Sequence, residues 1–244
     1  HTILVPMMLP IHFQFLRNIL CKEGYRVEIL KTEGQQIIDE GLKNVHNDTC
    51  YPALLVIGQM IDALKSGKYD TAHIALAITQ TGGGCRASNY IHLLRKALVQ
   101  AGFEHVPVIS VNFSQLEKNS GFKLTPKMLL RLLYAFLYGD MLMWIKNQCK
   151  SYELEKGSTD ALVTTWIDTI TAQFDSLSYM RMKHNYQEML HDFAALPRSQ
   201  KPKIQVGIVG EIYMKYAPLG NNELEDFLIR EGCEPVVSGV LDFG

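Results

Sequence analysis

Short apolar runs alternate with helix-like patterns over the first 115 residues. Runs typical of strands lie at 3–5, 25–30, 73–78 and 106–111. Apolar residues at helical spacing fall between them, at 11–21, 35–42, 52–66 and 88–100. Because the run at 73–78 is apolar on both faces, it is typical of a buried parallel strand. The alternation predicts an α/β fold in which helices flank an open, mostly parallel sheet.

No pattern typical of strands occurs between residues 124 and 195. Three helices are predicted next, at 125–148, 158–175 and 178–195. A polar, proline-containing linker follows, and then come a strand at 204–209, a helix at 222–231 and a strand from Pro235. We therefore expect an α/β domain at 1–120 that carries the cysteine motifs, a helical segment at 121–200 and the start of a second, truncated α/β unit at 201–244.

The first predicted helix of the middle segment is apolar nearly all round. Arg131, Gly139 and Asp140 interrupt it, and no apolar stretch reaches the length of about 18 residues that spans a bilayer. The pattern favours a helix buried within the protein or against a partner subunit over a membrane span. We thus expect no membrane contact and an oligomeric protein.

The composition is that of a globular chain, with 47% hydrophobic and 20% charged residues. Lys and Arg number 24 and Asp and Glu 25, giving a net charge of −1, which argues against a nucleic-acid partner. The 5 cysteines form no C-x-x-C pair, and no signal peptide is present, so the reducing cytoplasm is expected. The start at His1 and the end in a strand-like stretch suggest a piece of a longer chain.

Two cysteines lie where a thiolate would be stabilised. Cys50 comes just before the helix that begins at Pro52, and Cys85 lies between a buried strand and the next helix. Helix N-termini favour a thiolate, and ligands of parallel sheets bind at the carboxyl ends of strands. We therefore expect the two sulfur atoms to meet at one sheet edge.

The three other cysteines, Cys21, Cys149 and Cys233, are predicted to be small buried apolar residues.

The loop around Cys85 offers a second interpretation. Gly83 and Gly84, within a run of three glycines, let the backbone approach a bulky group, and Arg86 adds a positive charge. Such a loop could cradle a phosphate of CoA, although it matches neither common nucleotide-binding motif. Arg86 could also contact a cluster sulfide or cap a helix.

Other polar residues carry weaker predictions. Glu211 follows a predicted strand and could act as an acid or base, or cap a helix. His46 is expected to be structural, with hydrogen bonding near Cys50 as the alternative. Asn221 and Asn222 are expected to cap the next helix, and Lys215 and Tyr216 to lie on the surface.

Several motifs together resemble one family, the 2-hydroxyacyl-CoA dehydratase superfamily, and within it the 2-hydroxyglutaryl-CoA dehydratase activase-related proteins. The motifs are Asn47-Asp-Thr-Cys-Tyr-Pro-Ala53, Ser66-Gly-Lys-Tyr-Asp70, Gln80-Thr-Gly-Gly-Gly-Cys-Arg-Ala-Ser-Asn-Tyr90, Val106-Pro-Val-Ile-Ser110, Gly207-Ile-Val-Gly-Glu-Ile212 and Asn221-Asn222. The resemblance runs through essentially the whole chain, and the paired cysteine motifs are its most specific part. The ATP site of the activators themselves is not found in this segment.

The resemblance implies a [4Fe–4S] cluster held by three thiolates, with Cys50 and Cys85 as two of the ligands and the third beyond Gly244. In this superfamily an activator ATPase delivers an electron, and the dehydratase removes water from a 2-hydroxyacyl-CoA through a ketyl radical. The resemblance leaves three functions open: a dehydratase-like lyase or activator-associated component, a non-catalytic electron-relay or assembly module, and a CoA- or phosphate-binding domain. It implies the remainder of a longer chain, an activator ATPase and an acyl-CoA as partners.

Overall fold

The alternating pattern of the first 115 residues folds as a parallel α/β sheet. The computed structural model describes residues 1–46, 48–79, 89–111 and 122–243. The elements follow in the order β1 (Thr2–Pro6), α1 (Pro10–Lys22), β2 (Arg26–Leu30), α2 (Gln35–Asn44), α3 (Tyr51–Lys65), β3 (Ile74–Thr79), α4 (Tyr90–Ala101) and β4 (Val108–Val111). The four strands are all parallel and lie in the order β2-β1-β3-β4. The predicted α/β fold is therefore confirmed.

The chain divides into two compact units that the sequence pattern does not delimit. The first consists of residues 1–8 and 20–123, and the second of residues 9–19 and 124–244. The predicted helical segment and the α/β segment after it thus belong to one unit, which also includes most of α1.

The core of the first unit lies on the sheet and on α3. Leu4 of β1 and Leu76 of β3 are paired in register and fully buried. Most of α3 is buried, because apolar residues cover nearly its whole circumference. The helix is therefore a central layer of the first unit.

Two glycines allow α2 and α3 to cross in close contact. A Cβ on Gly58 of α3 would lie 2.2 Å from the carbonyl oxygen of Ile37, and one on Gly41 of α2 would lie 2.5 Å from that of Leu54. Any side chain at either position would separate the helices, so glycine is required for this crossing.

The second unit combines helices with a small parallel sheet. Its elements after α1 are α5 (Pro126–Lys150), α6 (Ser158–Gln173), α7 (Met182–Ala195), β5 (Gln205–Ile208), α8 (Ile212–Tyr216), α9 (Pro218–Asn221), α10 (Leu224–Arg230) and β6 (Glu234–Val237). Strands β5 and β6 pair in parallel. All the predicted elements of this part are present, and α8 and α9 are additional short helices that the sequence pattern did not indicate.

Helix α5 is the one described helix that is long and apolar enough to cross a membrane, judged by length and composition only. In this structure 44% of its most apolar 18-residue window is buried within the protein. Arg131 of α5 is buried and donates a hydrogen bond to the carbonyl oxygen of Phe174 at 2.5 Å. Helix α5 packs against α6, α7 and β6. This packing agrees with the expectation of a helix buried within the protein.

Candidate functional site

Cys50 occupies the N-cap position of α3. Its backbone is extended (φ −65°, ψ 149°), Pro52 lies in the first turn, and the amide of Leu54 donates to the carbonyl oxygen of Cys50 at 3.2 Å. The Cys50 side chain makes no capping hydrogen bond and is partly exposed. The thiol therefore lies at the positive end of a 15-residue helix, as the sequence predicts, where the negative charge of a thiolate is favoured.

The hydroxyl of Tyr90 contacts the Cys50 sulfur. The distance from Tyr90 Oη to Cys50 Sγ is 3.4 Å, within the range for a hydrogen bond to sulfur. Tyr90 is the first residue of α4, the helix that follows β3 along the chain. The contact thus places Cys50 beside the end of the segment that joins β3 to α4.

Cys85 belongs to that joining segment but lies outside the described residues. The same holds for Gly83, Gly84 and Arg86, the other predicted ligand-binding residues of this loop. The meeting of the two sulfur atoms therefore stays a prediction.

Cys50 has the position and the side chain that one ligand of an iron–sulfur cluster needs. A partly exposed cysteine at a helix N-terminus can present its sulfur to a metal, and thiolate is the usual ligand of such clusters. Among the described residues no group of three or more His, Cys, Asp and Glu side chains is placed to hold a metal. Cys50 fits as one ligand, and the others would have to come from outside the described residues.

The other cysteines have different surroundings. Cys149 is buried, as predicted, and its sulfur accepts a hydrogen bond from Arg198 Nη1 at 3.6 Å. Burial raises the pKa of the Cys149 thiol, and Arg198 offsets only part of that rise. The prediction of a buried Cys21 is wrong, because the side chain is exposed near the end of α1, and Cys233 is only partly buried.

The carboxylate of Glu211 caps a helix. Its Oε2 accepts hydrogen bonds from the amides of Tyr213 at 3.0 Å and Met214 at 3.1 Å. These bonds support the helix-capping alternative for Glu211. Asn221 has a similar role, since its Oδ1 accepts a hydrogen bond from the Leu224 amide at 3.1 Å at the start of α10.

His46 lies on the surface. Its Nδ1 accepts a hydrogen bond from the Asp48 amide at 3.2 Å and lies 3.5 Å from the Asp48 carboxylate. This local pairing supports the structural alternative for His46.

The surface prediction for Lys215 and Tyr216 is wrong, because both side chains are buried. Lys215 Nζ donates to the Ser238 hydroxyl, and Tyr216 Oη lies 2.9 Å from the carbonyl oxygens of both Ser238 and Gly239, which share its one proton. The segment after β6 covers α8 and buries these two residues. This burial could not be predicted, because a five-residue helix has too few turns to show a buried face in the pattern of apolar residues.

A cleft of about 840 Å³ lies in the first unit, away from Cys50. Its lining includes Tyr25, Phe122, Leu98, Arg26 and Arg95. The cleft lies along the amino ends of the strands, because residues that immediately precede β1 and β4 line it. Ligands of parallel sheets bind at the opposite edge, so Cys50 is the stronger candidate for the functional site.

In comparisons with known proteins, no protein family, no curated protein and no solved structure matches this chain.

Proposed function

We propose that this chain is a segment of a cytoplasmic iron–sulfur protein related to the 2-hydroxyacyl-CoA dehydratases, with Cys50 and Cys85 as thiolate ligands of a [4Fe–4S] cluster. The observation that carries the proposal is the contact between Cys50 and Tyr90. It brings a thiol at one helix N-terminus to the start of the helix that follows the Cys85 segment.

The residue chemistry supports this assignment. Cys50 presents its sulfur at the positive end of α3, where the helix dipole favours negative charge. When bound, a cluster of this kind supplies electron transfer or, through an open iron, Lewis-acid activation of a substrate oxygen. The resemblance adds three partners to the proposal: the remainder of a longer chain with a third thiolate, an activator ATPase and an acyl-CoA.

Metal analysis of cysteine variants tests the proposal. The full-length protein, purified without oxygen and reconstituted with iron and sulfide, is expected to be brown and to contain both elements. The double variant Cys50→Ala Cys85→Ala is expected to lose both, because two thiolates are missing. Cys21→Ala is the control, since it removes an exposed thiol and is expected to retain the cluster. Iron-free wild-type protein, or full iron retention by the double variant, would contradict the proposal.

The main alternative is an electron-relay or assembly module with the same cluster and no turnover. The exposed apolar side chains of Leu133 and Trp144 on α5 favour it, because they offer a surface for another protein. Reduced, loaded protein is therefore assayed for dehydration of several 2-hydroxyacyl-CoAs. Turnover supports a dehydratase, whereas cluster reduction without turnover supports the relay.

A further inference from the structure

The cleft at the amino ends of the first sheet has an apolar floor. Ile3 of β1 and Ala75 of β3 are paired in the sheet register, and both line the cleft. Ile109 of β4 also lines it and lies on the same sheet face as Ala75, because its partner in β3 is Ala77. The volume of about 840 Å³ is within the range of small-molecule sites, which are mostly apolar with a few polar groups.

Two aromatic rings form the wall of the cleft beside β2. The ring centroids of Tyr25 and Phe122 are 5.0 Å apart, with their planes inclined by 48°. The Tyr25 hydroxyl accepts a hydrogen bond from the Lys123 amide at 3.1 Å, which joins the start of β2 to the segment that carries Phe122. Two rings beside an apolar floor favour a flat apolar group as the occupant.

The positive charge at this end of the cleft comes from Arg26. This residue begins β2, is exposed and lines the cleft. Within the described part of the chain no carboxylate pairs with it. Glu28, two positions along the same face of the strand, accepts hydrogen bonds from Lys68 at 2.7 Å and Tyr69 at 2.5 Å. An arginine beside an apolar surface is suited to bind a carboxylate or another planar anion.

The other arginine and the glutamate of the lining lie toward β4. Arg95 belongs to α4, which packs against β4, and Glu104 lies between α4 and β4 along the chain. Strands β1 and β3 separate β4 from β2, so these two opposite charges are on the other side of the sheet from Arg26. The end of the cleft at β2 is therefore the end that favours an anion.

We propose that this cleft binds a small anion with a flat apolar group, such as an aromatic carboxylate. The apolar group lies on the floor beside Tyr25 and Phe122, and the carboxylate accepts hydrogen bonds from the Arg26 guanidinium. The proposal does not depend on Cys50, because it concerns the opposite edge of the sheet. It adds a second binding site to the first unit.

The test compares two probes of the same shape and different charge by isothermal titration calorimetry. 1-Naphthoate carries the carboxylate, and 1-naphthamide is its neutral counterpart. We expect 1-naphthoate to bind saturably with a Kd of about 1 mM or lower, a value reasonable for so few atoms, and to bind more tightly than 1-naphthamide. Arg26→Gln should weaken 1-naphthoate about fivefold, the effect of losing an exposed ion pair, and leave 1-naphthamide unchanged.

Two further variants complete the comparison. Lys31→Gln removes an exposed cation just beyond the other end of β2 and should leave both affinities unchanged. Phe122→Leu keeps an apolar side chain but removes the ring, and should weaken both probes by the same factor. Because Phe122 is buried and Arg26 is exposed, the Arg26→Gln result decides the proposal without a risk to folding.

The outcomes are separate from those of the cluster experiment. Weaker binding of 1-naphthoate alone in Arg26→Gln, with no change in Lys31→Gln, supports the site. An absence of saturable 1-naphthoate binding, equal affinities for the two probes, or equal effects of Arg26→Gln and Lys31→Gln would refute it. Iron content does not enter this test, so a failure here leaves the proposed function standing, and a protein without iron leaves this site standing.

Discussion

The carboxylate of Asp140 joins three parts of the second unit. Its Oδ1 accepts hydrogen bonds from His12 Nε2 at 2.9 Å and from the Val240 amide at 2.8 Å, and its Oδ2 accepts one from the Leu241 amide at 3.1 Å. The neighbouring Gly139 makes room for His12, because a Cβ at this position would lie 2.4 Å from the imidazole. Two of the three residues that interrupt the apolar pattern of α5, Gly139 and Asp140, therefore contact His12 of α1.

The bonds to Asp140 predict a stability that depends on pH. Burial alone would raise the pKa of Asp140, but the bonds from His12 and the two amides outweigh burial and lower it. A lowered pKa in the folded state means that the carboxylate stabilises the protein at pH values above its ordinary value of 3.8, and that this contribution is lost as the pH falls through the lower folded value. Asp140→Asn should reduce the free energy of unfolding by about 2 kcal/mol at pH 7, because a neutral side-chain amide then replaces the charged carboxylate that accepts hydrogen bonds from three donors.

Urea unfolding of both proteins from pH 7 to pH 3 measures this effect. The difference between wild type and Asp140→Asn should be constant above about pH 5 and shrink below about pH 4, where the carboxylate of the unfolded wild-type chain takes up a proton before that of the folded protein does. Asp168→Asn on the exposed side of α6 is the matched control and should change little. A difference that stays the same down to pH 3 would contradict the role of the Asp140 charge.

At the scale of elements, α5 has one face in the protein core and another in solvent. Leu142 is fully buried, whereas Leu133 is 52% and Trp144 49% exposed. The helix is apolar on both faces, so its hydropathy alone does not distinguish a core helix from a membrane span. The packing of the buried face makes this distinction testable.

Lysine substitutions on the two faces of α5 should have unequal effects. Leu142→Lys places a charge in a filled core and should destabilise the protein by about 4 kcal/mol or more, or prevent folding. Leu133→Lys should change the free energy of unfolding by less than about 1 kcal/mol, because its side chain is already half exposed. Urea unfolding in the absence of detergent gives both values. Comparable losses for both variants would indicate that lipid or another protein surrounds the helix.

The helices and strands that could be predicted are those with several turns or a continuous apolar run. Strand β3 is an example, because burial on both faces gives it a continuous apolar run, whereas β2, with Arg26 exposed, shows alternation instead. The short helices α8 and α9 could not be predicted, and neither could the burial of Lys215, because residues after β6 determine it. At the site, Pro52 indicated the helix start beside Cys50, but the contact with Tyr90 depends on tertiary structure across 40 residues.

At the scale of the whole molecule, the described cysteines differ in access to solvent. Cys21 is exposed at the end of α1, and Cys149 is buried in α5 with 3% of its surface accessible. The pKa of the Cys149 thiol is also raised by burial, which lowers its thiolate fraction at neutral pH. Low solvent access and the raised pKa of its thiol therefore both slow the reaction of Cys149 with thiol reagents.

Alkylation of the native protein should follow this order. With iodoacetamide at pH 8, Cys21 should react at least about 100-fold faster than Cys149, because a reagent reaches Cys149 only when the structure opens at a cost of a few kcal/mol. Mass spectrometry of digested samples taken over time gives both rates. In denaturing urea the two rates should become similar, since burial is then lost, and this serves as the control. Equal rates in the native protein would show that α5 does not pack around Cys149 in solution and that its buried face, which includes Leu142, is open to the reagent.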